Sequence, residues 1–167
     1  MPGMSAFDAY AQEYEAWFGD HPFAYLSELH AVRALLPENK SGVEIGIGTG
    51  RFAAPLGIRT GIEPSRAMAE IARKKGLEVM PGVAEKLPYP DAAFDFALMV
   101  TTVCFLDDID LAFQETFRVI RQGGSFIIGL MDKNSPIGRA YEQRKRVLRP
   151  RRARRIRSQK KCGPTRQ

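Results

Sequence analysis

The stretch from Val43 to Gly50, Val-Glu-Ile-Gly-Ile-Gly-Thr-Gly, constrains this chain more than any other. Val43, Ile45 and Ile47 alternate with small or acidic residues, and glycines stand at 46, 48 and 50. The alternation reads as a strand and the glycines as a tight turn after it. A turn that brings backbone close to a ligand has no room for a Cβ, so glycine is the residue it needs. Pro55 and Gly57 limit the following segment to a short helix. Such a turn, set between a buried strand and a helix N-terminus, is a site for a nucleotide-like ligand; a plain tight turn is the alternative. The dinucleotide fingerprint G-x-G-x-x-G/A is met at Gly46 and Gly48 and fails at Arg51.

Three more landmarks come after it in order. Arg59–Glu63 reads as a second strand that ends in a carboxylate, and Ser65 is a good N-cap for a helix over Arg66–Lys75 that Gly76 stops. Glu63 is either an exposed strand-end acid or a bidentate acceptor for ribose hydroxyls. Glu78–Met80 is a third short strand, and Phe94–Val100 is a nearly continuous apolar run, as in a strand buried on both faces. Between these two strands lies Gly82-Val-Ala-Glu-Lys-Leu-Pro-Tyr-Pro-Asp-Ala-Ala-Phe-Asp95. The last landmark is Phe117–Gly129, where Gly123 and Gly124 allow a turn from a helix into a fifth strand.

The pattern E-x-G-x-G-x-G at 44–50 resembles motif I of the class I S-adenosylmethionine-dependent methyltransferases. The stretch G-x-A-E-x-L-P-x-x-D-x-x-F-D at 82–95 resembles their small-molecule type, and residues 117–129 resemble the family's helix, turn and fifth strand, with Gln122 in place of a proline. The four matches cover residues 43–131 in the family's order. The resemblance implies S-adenosylmethionine as cofactor. It implies that Glu44, Gly46, Ile47, Gly48, Thr49 and Gly50 hold its methionine end, and that Glu63 and Pro64 hold its ribose. By the same resemblance Ala84, Glu85 and Leu87 surround the adenine, although the family's frequent Asp before the Ala is Val83 here. Thr101 and Thr102, at the end of the fourth strand, face the methyl acceptor, and Tyr10 or Tyr14 reaches the sulfonium or its carboxylate. No catalytic acid or base is assigned.

The implied fold is α/β, a doubly wound, mostly parallel sheet of the Rossmann-like methyltransferase type. Strands at about 43–47, 59–63, 78–80, 94–101 and 124–131 alternate with helices. The implied order is 3-2-1-4-5, with strands 6 and 7 of the family missing. A methyltransferase domain over residues 1–143 is expected, with an N-terminal helical cap over 5–36 and a cofactor-binding core over 41–131. In the cap, Phe7, Tyr10, Tyr14, Trp17 and Phe18 recur at helical spacing as one aromatic stripe, and Leu26–Leu36 is a second helix stopped by Pro37.

Charge divides the chain in two. Residues 144–167 hold 12 Lys/Arg and no Asp/Glu, so residues 1–143 carry 13 Lys/Arg against 19 Asp/Glu, although the whole chain is +6. The Arg-rich tail reads as a nucleic-acid-binding arm, as a disordered solvated extension, or as the out-of-frame end of a truncated or frameshifted gene. Without the last two strands, Ser125–Met131 would be an open apolar edge able to pair with a second copy.

Composition bounds the rest. Hydrophobic residues make up 44% of 167, as in a globular domain with its own core. No run of 18 apolar residues suggests a membrane span, and the N-terminus lacks a signal-peptide core, so a cytoplasmic protein is expected. Cys104 and Cys162 form no disulfide framework, with Cys104 expected to be buried, and His21 and His30 have no partners at metal-ligand spacing. The expected activity is in-line transfer of a methyl group to a small-molecule acceptor, which needs alignment and exclusion of water more than acid–base machinery. The alternatives are a dinucleotide-dependent oxidoreductase, disfavoured by Arg51, and an inactive methyltransferase remnant that binds the cofactor or, through its tail, nucleic acid.

Overall fold

The computed structural model describes residues 4–38 and 40–130, with Asn134 and Arg139 beyond them. Its first compact unit is residues 1–130, and the second is 131–167. The basic tail, and the last residues of the expected core, lie outside the described positions.

Alternating and continuous apolar runs give five strands: β1 Gly42–Ile45, β2 Thr60–Ile62, β3 Glu78–Met80, β4 Phe94–Val100 and β5 Ile120–Gly129. They form one parallel sheet in the order β3-β2-β1-β4-β5. β4 is buried almost throughout and alternates between two cores. Phe96, Leu98 and Val100 join Ile47, Ala69, Ala72 and the helical residues Phe18, Leu29 and Val32. Ala97 and Met99 join Val43, Ile45, Ile62, Ala112 and Val119 on the opposite face. Helices therefore cover both faces of the sheet, as parallel strands require.

Among the described residues, six helices accompany the strands: α1 Met4–Ala9, α2 Ala11–Asp20, α3 Pro22–Arg33, α4 Ala53–Leu56, α5 Arg66–Lys74 and α6 Ile109–Val119. Ser65 caps α5 as its residue type predicts, its Oγ accepting from the Met68 N–H, and Gly76 comes after the helix with φ +84°. Asp108 caps α6 in the same manner, accepting from the Leu111 N–H.

Four expectations need correction. The aromatic stripe is not one helix: Phe7 lies in α1, Tyr10 in the bend after it, and Tyr14, Trp17 and Phe18 in α2. The next helix begins earlier than Leu26, because Pro22 at its first turn needs no N–H partner there, and it ends at Arg33. β5 begins before the glycine pair. Ile120 pairs with Phe94 and Ser125 with Phe96, so residues 121–124 bulge out within the strand, with Gly123 at φ +80°. Cys104 is exposed in the 3-10 turn Val103–Phe105, since β4 ends four residues earlier at Val100.

Candidate functional site

All five strands point the same way, so β1, β2 and β4 deliver Gly46, Glu63 and Thr101 to one end of the sheet. This is the end where chain direction across the sheet reverses beside β1, the usual ligand crevice of an open α/β sheet. The turn after β1 is left-handed at Gly46, Gly48 and Gly50, with φ of +72°, +56° and +78°. The Gly46 and Ile47 N–H groups donate to the Ile62 carbonyl at 3.0 and 2.9 Å, which anchors the turn on β2. A Cβ on Gly46 would meet Thr102 Cγ2 at 2.5 Å, whereas one on Gly48 would come no closer than 3.9 Å to the Tyr14 ring. The turn is thus closed on the Thr102 side, while on the Tyr14 side a Cβ would sit in ordinary contact with the ring.

Two carboxylates flank this turn. Glu44 is 2% exposed, and its Oε2 has no hydrogen-bond partner. Burial pushes its carboxyl well above the ordinary value of 4.5; the Ala53 amide opposes this and the charge of Glu63 adds to it. Glu63 is 7% exposed, accepting from the Gly48 N–H through Oε2 and from the Ser65 N–H through Oε1, both at 2.9 Å. Burial raises it as well, against those two bonds, with Asp8 contributing. The Tyr14 hydroxyl is pushed upward by burial first and then by Glu44 and Glu63. The three groups therefore feel one another's charge. A buried spot with two acids, one of them with an oxygen lacking a partner, suits a ligand that brings a cationic end and hydroxyl donors.

The first helix is tied down on two sides of this end of the sheet. Asp8 Oδ1 accepts from Ser65 Oγ at 2.6 Å and from the Ala67 N–H at 3.2 Å, and Phe7 meets Phe105 edge-on at 5.0 Å. α1 therefore spans from the start of α5 to the 3-10 turn after β4.

The structure brings Glu44, Gly46, Gly48, Thr49, Gly50, Glu63, Pro64 and Tyr14 to this crevice, with Ile47 buried beneath the turn. Thr101 stands exposed at the end of β4 with φ +52°, its N–H donating to the Gly129 carbonyl at 2.8 Å. The other candidates are engaged elsewhere or point outward. Ala84 and Leu87 belong to the core with Val43, Ile45 and Ile62, and the Leu87 N–H donates to Glu115 Oε2 at 2.9 Å. The Glu85 carboxylate accepts from the Asp107 and Asp108 N–H groups at 2.8 and 3.2 Å. Tyr10 is 62% exposed in the bend between α1 and α2.

Sequence reasoning missed Asp8 and a polar node of Glu15, Arg51 and Lys75. Lys75 Nζ and Arg51 Nη2 each lie 2.7 Å from Glu15 Oε1. Partners 36 and 60 positions apart leave no local signature. The one available signal was Arg51, a bulky charged residue directly after the third glycine of the turn.

A parallel sheet in this order, with a glycine turn between two buried acids at its carboxyl end, defines an α/β protein of the nucleotide-cofactor-binding class. The chain belongs to the methyltransferase-domain family, whose profile matches residues 43–128. That family is the class I S-adenosylmethionine-dependent methyltransferases, enzymes whose cofactor is S-adenosylmethionine, and the fold is theirs. A solved S-adenosylmethionine-dependent methyltransferase from Thermotoga maritima, named as a possible histamine N-methyltransferase, is 57% identical with a TM-score of 0.80, over 84% of this chain and 68% of that one. An uncharacterized protein of Methanocaldococcus jannaschii is 42% identical over 142 residues, 85% of this chain and 69% of that protein. An uncharacterized Mycobacterium tuberculosis protein is 37% identical over 148 residues, so this chain spans about half, 52%, of its length. Among the described residues, no helix is long and apolar enough to cross a membrane.

Proposed function

We propose that this chain transfers a methyl group from S-adenosylmethionine to a small-molecule acceptor. The observation that carries the reading is the left-handed glycine turn held between Glu44 and Glu63. When bound, S-adenosylmethionine supplies a methyl group on a positively charged sulfur. The residues present suit it on two counts: Glu44 Oε2 is a buried acceptor without a donor, and Gly48 presents bare backbone toward Tyr14 with no side chain between them. Glu63 uses one lone pair of each oxygen on backbone N–H groups and keeps the others for a pair of ribose hydroxyls. Gly46–Gly50 give room for the methionine end, and Glu44 supplies negative charge to its cationic groups. Tyr14, over the turn, excludes water from the reacting centre. Thr101 and Thr102 lie on the acceptor side at the end of β4. Pro64 packs beside the ribose position. Ala84, Glu85 and Leu87 bound the adenine side through their loop, and Tyr10 joins the cover only by turning inward.

No residue is needed as acid or base for a nucleophile that is already an amine or a carboxylate, so alignment carries the rate. Histamine is the first acceptor to assay, because the Thermotoga protein carries that possible assignment. Calorimetric titration tests the cofactor step. Glu63→Ala removes two charge-assisted hydrogen bonds, each worth about 1.5–3 kcal/mol, and should weaken S-adenosylmethionine binding at least tenfold. A folded wild-type chain giving neither heat nor a thermal shift with S-adenosylmethionine would sink the reading.

A further inference from the structure

Arg51, directly after the glycine turn, touches both α2 and α3. Its Nη2 donates to the Glu15 backbone carbonyl at 3.0 Å and lies 2.7 Å from Glu15 Oε1. Its guanidinium stands 5.1 Å from the Phe18 ring centroid and 6.0 Å from that of Tyr25. Its own carbonyl accepts from the Tyr25 hydroxyl at 2.6 Å. One residue thus fastens α2 through Glu15 and Phe18 and α3 through Tyr25. Lys75, just past α5, adds a second cation on Glu15 Oε1 at 2.7 Å.

Partly burying an arginine and a glutamate costs desolvation, and Arg51 Nε is left without a hydrogen-bond partner. What the polar contact adds is direction. A planar guanidinium that reaches a carbonyl and a carboxylate of one residue fixes that residue's orientation as well as its distance. The residue fixed is Glu15, and its neighbour Tyr14 stands over Gly48.

We infer that Arg51 is a positioning residue for S-adenosylmethionine: by clamping Glu15 it holds Tyr14 over the glycine turn and so sets how long the cofactor stays, without touching it. The inference rests on the proposed cofactor site. Lys75 is the weaker second arm of the same clamp, because it reaches the carboxylate alone.

The test compares Arg51→Met, which keeps the apolar stem but not the fork, with Arg51→Lys, which keeps the charge and one donor. Stopped-flow measurement should show S-adenosylmethionine leaving Arg51→Met about tenfold faster, and Arg51→Lys about threefold faster. In turnover with an acceptor, KM for the cofactor should rise by the same factors while kcat holds within twofold. Hydrogen exchange of the cofactor-free protein should quicken over residues 14–20 in Arg51→Met and stay unchanged in β1 and β4. Glu15→Gln combined with Arg51→Met should lose less than the two single losses summed, since the variants share the Arg51–Glu15 ion pair. If wild type binds the cofactor while a folded Arg51→Met shows wild-type release and wild-type exchange in α2, the inference is wrong and the cofactor site stands. If Arg51→Met does not fold, Arg51→Lys decides alone, and an unchanged release rate there overturns the inference. A wild type that binds no cofactor removes the site itself, which separates that failure from the other two.

Discussion

Glu44 is a buried acid with one oxygen lacking a hydrogen-bond partner, which costs the fold desolvation. Its carboxyl is buried and raised well above 4.5, so in the folded chain it holds a proton that the unfolded chain releases. A raised carboxyl contributes stability below its unfolded value and loses it as pH rises through its folded value. Glu44→Gln keeps the shape and removes the titration. The variant should therefore gain stability over wild type as pH climbs above the ordinary carboxylate range. Below pH 4 the two should converge. Thermal unfolding of the cofactor-free proteins across that range measures it, and a difference that does not change with pH would refute the assignment. Glu63 keeps its own raised carboxyl, so part of the wild-type pH dependence survives the substitution. With S-adenosylmethionine present the ranking should reverse, because the positive cofactor needs the ionised acid. Its affinity for the wild type should fall as the medium is acidified, since cation binding drives a proton off.

At the scale of elements, α1 and α5 share one junction. Ser65 Oγ accepts from the Met68 N–H at 3.3 Å while donating to Asp8 at 2.6 Å, and Asp8 also accepts from Ala67. Ser65→Ala removes a helix cap, worth about 1 kcal/mol, and one of two bonds holding α1. The expected result is a loss of about 1–2 kcal/mol in denaturant unfolding together with faster exchange in α1. An undisturbed α1 would show that Phe7 against Phe105 suffices to dock it. The same junction shows what a sequence carries and what it omits. The cap on α5 was legible because Ser65 lies three residues from the N–H it satisfies, and the strands were legible because burial on one or both faces imposes a period. The acids at 44 and 63 were legible through the glycines and strand ends that position them. Asp8, 57 residues from Ser65, was not, because its role exists only once the sheet has brought the two together. Glu85 shows a contact its motif does not announce: its carboxylate accepts from the backbone N–H groups of Asp107 and Asp108, 22 and 23 positions away. The split of the aromatic stripe at Tyr10 had no signal, since neither glycine nor proline marks the bend.

At the scale of the whole molecule, charge sets the C-terminal segment apart from the rest of the chain. Residues 1–143 are acidic on balance, and residues 144–167 carry 12 Lys/Arg with no acid. A segment of that kind binds polyanions by releasing condensed counterions, so its affinity falls steeply with salt and depends little on base sequence. The crevice at the end of β1, β2 and β4 is built, among the described residues, from positions earlier in the chain, Asp8 to Thr102. Removing residues 147–167 should therefore abolish retention of a short duplex DNA at low ionic strength and leave S-adenosylmethionine affinity within twofold. Fluorescence anisotropy of labelled DNA against a salt series, beside calorimetry with the cofactor, reads both. A wild-type chain that never shifts DNA, even at low salt, would exclude the nucleic-acid role. A shortened chain that loses the cofactor would instead make the basic segment part of the methyl-transfer site.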